Sequence, residues 1–68
     1  MRYMVKVRIE KVRGPDVHQD VCIKHFRVDC EREELPGETF EQFAYWCSRN
    51  GLYADDYNFD ILDVQYDI

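Results

Sequence analysis

The sequence predicts an α+β fold, a single small ββαβ domain with a three-stranded antiparallel sheet and one helix packed on one face. Three observations carry this. Two strand-like apolar segments open the chain, one stretch with helical spacing follows them, and a third strand-like segment closes it, each separated by turn-forming residues. With this order the third strand is expected beside the first.

From Arg2 to Val12, Tyr3, Val5, Val7 and Ile9 alternate with Met4, Lys6, Arg8 and Glu10, the period of two of a strand with one buried and one solvated face. Arg13-Gly14-Pro15-Asp16 combines a residue that tolerates positive φ with one that presets φ, so the chain should reverse there before the Val-, Ile- and Phe-rich strand Val21–Asp29. The polar segment Cys30–Glu38 is interrupted by Pro36-Gly37, and Thr39-x-x-Gln42 has the spacing of a capping box. A helix is therefore expected from Phe40. Phe40, Phe43, Ala44 and Cys47 form its apolar stripe, and Asn50-Gly51 is suited to end it near Arg49 or Asn50. In the last strand, Tyr57–Tyr66, the apolar parity changes. Tyr57, Phe59 and Ile61 share one face, and Leu62, Val64, Tyr66 and Ile68 the other, which requires a bulge near Ile61-Leu62 or cover on both faces. The predicted core is Tyr3, Val5, Val7, Ile9, Phe26, Val28, Phe40, Phe43, Ala44, Cys47, Phe59 and Ile61.

At 68 residues the chain holds one domain, residues 1–68, with room for only a small core that its five Tyr, four Phe and one Trp must fill. No apolar run has the length of a membrane span, and the alternating start lacks the continuous apolar stretch of a signal peptide, so a cytoplasmic location without membrane contact is expected. Cys22, Cys30 and Cys47 are odd in number and read as reduced thiols.

His18, Cys22, His25, Cys30 and Cys47 are the residue types that bind zinc. On a strand, however, Cys22 and Cys30 lie roughly 26 Å apart, and Cys22 and His25 point to opposite faces. Asp56-x-Asn58-x-Asp60 opens like a calcium loop, yet Ile61 stands where that loop needs Gly and Asp67 where it needs Glu. Neither metal nor any other cofactor is expected. No phosphate-binding Gly-rich loop and no nucleophile beside a base can be assembled, and Cys47 sits in the apolar stripe, so the chain is read as non-enzymatic.

Charge is the informative feature. The net formal charge is −5, and it is unevenly spread: residues 1–28 carry Arg2, Lys6, Arg8, Lys11, Arg13, Lys24 and Arg27 against three acids, and residues 29–68 carry two cations against eleven acids. A third strand beside the first sets Asp60 or Asp63 against Lys6 or Arg8, which argues against direct nucleic-acid binding. The acids of Cys30–Glu41 and Gly51–Asp60 have few cations near them in sequence, and some of them serve solubility and the helix dipole. Glu31, Glu33, Glu34, Asp55 and Asp56, with Trp46, Tyr53 and Tyr57 as aromatic anchors, are the predicted contacts to a basic protein partner such as a nucleic-acid-binding complex.

In length, acidity, aromatic content and lack of catalytic apparatus, the chain resembles the small inhibitors that bacteriophages use against host defences, including anti-CRISPR proteins and DNA mimics. The resemblance is one of type, rests on no motif, and implies an inhibitor that occludes a basic nucleic-acid-binding partner without assigning roles to residues. The alternative is a self-associating structural or accessory subunit, a homodimer that buries an open sheet face carrying Met4, Leu62, Val64 and Tyr66.

Overall fold

The computed structural model describes residues 1–14 and 21–67. Strand β1 (Arg2–Lys11) lies at the centre of an antiparallel sheet, with β2 (Val21–Asp29) on one side and β3 (Tyr57–Tyr66) on the other. The single helix α1 (Leu35–Arg49) connects β2 to β3 across one sheet face, giving the expected ββαβ order. The expected turn at Arg13-Gly14-Pro15-Asp16 is described only as far as Gly14, which adopts φ 98°; Pro15, Asp16, His18 and Ile68 lie outside the described residues.

The alternation in β1 sets the layers. Tyr3, Val5, Val7 and Ile9 are buried under the helix, opposite Val28, Phe26, Lys24 and Cys22 of β2, while Met4, Lys6 and Arg8 point to the other face. The parity change in β3 is met by a bulge. Lys6 is opposite Asp63 but Val7 is opposite Ile61, so Leu62 is an extra residue without a partner on β1. The bulge corrects the expected division of faces: Val64 (opposite Val5) and Tyr66 (opposite Tyr3) return to the helix side, where Tyr66 stacks on Tyr3 with ring centroids 5.2 Å apart. Tyr57, Phe59, Ile61 and Val64 thus pack against one core, Tyr66 covers Tyr3 while staying largely exposed, and the bulge accounts for the change of parity.

The helix start differs from the expectation. A 3-10 turn at Arg32–Glu34 runs directly into α1 at Leu35, five residues before Phe40, with Pro36 near the first helical positions, where its missing N–H is no loss. Thr39 is consequently no cap. It is fully buried in the helix interior, and its Oγ1 has no hydrogen-bond partner. Moving the start adds Leu35 and Thr39 to the buried stripe Leu35, Thr39, Phe43 and Cys47, one residue per turn facing the sheet. Phe40, assigned to the core from sequence, turns toward the β3 flank and stays 45% exposed, edge-on to Phe43 and Phe59.

The helix ends as expected. Gly51 has φ 70°, and the N–H groups of Gly51 and Leu52 bond the carbonyls of Ser48 (3.3 Å) and Cys47 (2.8 Å), the paired bonds of a Schellman motif. Leu52 then packs on the core, and a 3-10 turn at Ala54–Asp56 leads into β3. At the centre of the core, Phe43 stacks on Phe59 with centroids 5.5 Å apart and planes within 3°.

Candidate acidic interface

Hydrogen bonds at the two sheet ends place the acidic segments. The Cys30 N–H bonds the Met1 carbonyl (3.0 Å), so the chain leaves β2 at the N-terminal end of β1, and Glu31, Glu33 and Glu34 lie there. The Asp56 carbonyl accepts from Val12 (2.8 Å) and Arg13 (3.3 Å), so Asp55, Asp56 and Tyr53 lie at the far end of β1. A ten-residue strand separates these ends by about 30 Å. The eight predicted contacts are therefore not one surface.

The first segment is extended by residues that the sequence reading left out of the site. Once α1 begins at Leu35, Glu34, Glu38 and Glu41 follow one another at helical spacing, with Tyr45 four residues further on. Glu31, Glu33, Glu34, Glu38 and Glu41 thus line the 3-10 turn and the first two turns of α1, Arg32 being the one cation within Glu31–Glu41. Among the described residues none of these five carboxylates makes an ion pair. Their field is felt nearby. The Cys30 thiol is pushed up first by burial and then by the carboxylates of Glu38 and Glu34. Phe40 and Tyr45, the latter 61% exposed with the Arg49 guanidinium 5.7 Å from its ring centre, are the exposed aromatics on the same helix. The signal for Glu38, Glu41 and Tyr45 was present in the spacing, but only with Pro36 read as a first-turn residue rather than a breaker.

The remaining predicted anchors have other roles. Tyr53 is 75% exposed and stands with Asp55 and Asp56. Tyr57 is half-buried, edge-on to Phe43 at 6.4 Å, and belongs to the core. Trp46 is also half-buried: it stacks on Phe43, carries the Lys24 ammonium 4.6 Å above its ring, and lines a groove of about 460 Å³ with Phe26, Gln42, Tyr45, Arg49 and Asn50 on the β2 flank of α1.

Part of the positive charge of residues 1–28 is answered within the fold. Lys6 stands opposite Asp63 and Arg8 opposite Asp60, the pairs expected from a third strand beside the first. Arg8 bonds Glu10 (2.8 Å), and Arg27 lies 3.4 Å from Asp67. The open sheet face is therefore a mixture of both signs, with Met4, Ile23 and Leu62 as its larger apolar residues. Val64 and Tyr66, expected there, are on the helix side.

Among the described residues no three His, Cys, Asp or Glu side chains gather into a metal-binding group. Cys22 is exposed on β2 and faces the helix side, whereas His25 faces the open side; Asp56, Asn58 and Asp60 run from the 3-10 turn into β3. Cys47 is buried, which pushes its thiol up and withholds the nucleophilic thiolate. No family model, curated protein or solved structure matches the chain.

Proposed function

We propose that this domain is a non-enzymatic binding module that docks on a basic protein through the acidic face formed by the 3-10 turn and the first half of α1. The observation that carries the proposal is the run of five carboxylates, Glu31, Glu33, Glu34, Glu38 and Glu41, displayed on a rigid helical scaffold without an intramolecular ion pair among the described residues. A surface of this kind accelerates encounter with a basic partner and presents carboxylates where that partner holds phosphates. Phe40 and Tyr45, exposed beside the acids, supply the apolar contact that holds a complex once formed. The partner class that fits is a nucleic-acid-binding protein or complex, and the action that follows is occlusion of its site, as in the phage inhibitors that the chain resembles. Asp55, Asp56 and Tyr53 sit too far away to share a small footprint and make a second contact only on an extended partner.

The test is capture of the partner from the native host, followed by association kinetics at increasing salt. The double variant Glu33→Lys, Glu34→Lys is expected to slow association about tenfold while changing dissociation little, and Phe40→Ala to act chiefly on dissociation. A complex whose association rate is indifferent both to salt and to reversal of these charges is not formed through this face.

A further inference from the structure

The sheet order β2-β1-β3 leaves β2 and β3 each with one row of N–H and C=O groups unpaired by any described strand. The two edges are built differently. β3 is broken by the bulge at Leu62, a device that keeps an edge from being extended, whereas charged side chains occur on both edges. β2 runs nine residues in unbroken register with β1, without Pro or bulge, and Val21 and Ile23 on it are 46% and 47% exposed. Val21 and Ile23 lie on the open sheet face, and on the opposite, helix-covered face the aromatic groove beside Phe26 and Trp46 opens along the same strand, so apolar groups flank the β2 edge on both sides.

We propose that β2 is the seam of a two-fold homodimer, pairing antiparallel with β2 of a second copy to give a continuous six-stranded sheet with both helices on one face. The register follows from symmetry. A two-fold axis perpendicular to the sheet keeps each face on its own side, and directly opposed residues point the same way, so the axis passes through a residue. Centred on His25, all nine residues pair: Val21 meets Asp29, Cys22 meets Val28, Ile23 meets Arg27 and Lys24 meets Phe26 of the other copy. No like-charged side chains of Lys24, Arg27 and Asp29 then face each other, whereas an axis through Lys24 opposes two ammonium groups. Phe26 and Trp46 of both copies come together across the joined grooves. Pairing β2 with β3 of another copy would instead propagate an open chain over a bulged ladder, so the two-fold contact is the one that closes. The acidic face at the start of α1 takes no part in this seam, and the dimer stands or falls independently of the partner-binding reading.

Sedimentation equilibrium of the full chain should give twice the 8.3 kDa chain mass at micromolar concentration. Ile23→Arg, which sets a guanidinium opposite Arg27 of the other copy, should raise the dimer dissociation constant at least about tenfold, and Ile23→Glu, opposite the same Arg27, should not. Because Ile23 is exposed in the monomer, both variants should keep the wild-type circular dichroism spectrum. In a chain carrying Cys22→Ser and Cys30→Ser, His25→Cys should oxidise to a covalent dimer, since opposed antiparallel residues have Cα atoms about 4.5–5.5 Å apart, within disulfide range. A monomer up to about 1 mM, or a dimer that responds alike to Ile23→Arg and Ile23→Glu, overturns the seam. So does a dimer lost in Leu62→Arg but kept in Ile23→Arg, which moves the contact to the open sheet face.

Discussion

Replacing Thr39 by Val separates the two readings of the helix by the sign of a single measurement. If Thr39 were a capping residue, losing its hydroxyl would cost about 0.5–2 kcal/mol. In the structure it is fully buried inside α1 and its Oγ1 has no partner, so the hydroxyl carries a desolvation cost of about 1–3 kcal/mol that Val does not. Thr and Val have nearly the same helix propensity and shape, so little else changes. Thr39→Val is therefore expected to stabilise the domain by about 1 kcal/mol or more, a rise in Tm of roughly 4–8 °C per kcal/mol for a chain of this size. Thr39→Ser is the control, keeping the hydroxyl and deleting the methyl, and should destabilise by about 1 kcal/mol. Thermal and urea unfolding of the three proteins by circular dichroism give the answer. A lower melting temperature for Thr39→Val would refute the reasoning, since a buried hydroxyl without a partner cannot be missed.

Phe43→Ala should cost about 3–5 kcal/mol in urea unfolding, comparable with the whole stability of so small a domain. Phe43 is fully buried between Phe59, Tyr57 and Trp46, so an unchanged midpoint would remove it from the core. Stability should also fall with alkaline pH. Burial is the largest cause of the upward push on Tyr3, Cys30 and Cys47, so the folded chain holds these protons above the ordinary values, about 10 for the phenol and about 8.5 for the thiols, where the unfolded chain releases them. Each contribution is intact below the ordinary value and is lost as pH rises through the folded one. Unfolding between pH 8 and about 10 should show the decline, with a shallower slope for Cys47→Ala, and a flat profile would count against it.

Where a signal is local and periodic, the sequence alone was sufficient. The bounds Val21–Asp29 and Tyr57–Tyr66, the helix end at Asn50-Gly51, the change of apolar parity at Ile61-Leu62 and the placing of Asp60 or Asp63 against Lys6 or Arg8 were all legible in residue type and in the spacing of every second residue or every turn. The helix start was not so determined, because Pro36-Gly37 is compatible both with a break and with a first turn. What decides between them is whether Leu35 and Thr39 reach the sheet, and that is a property of the packed layers. The same holds for the choice between a bulge and a second covered face in β3, resolved by the room for Val64 and Tyr66 beside Val5 and Tyr3. The candidate site shows the limit most plainly. That Glu31, Glu33, Glu34 and Asp55 are exposed, with Asp56 half-buried, was broadly legible from residue type, but the division of these acids between opposite ends of the sheet was not. Position along a chain says nothing about distance once a ten-residue strand and a fifteen-residue helix carry the chain from one end of the domain to the other and back.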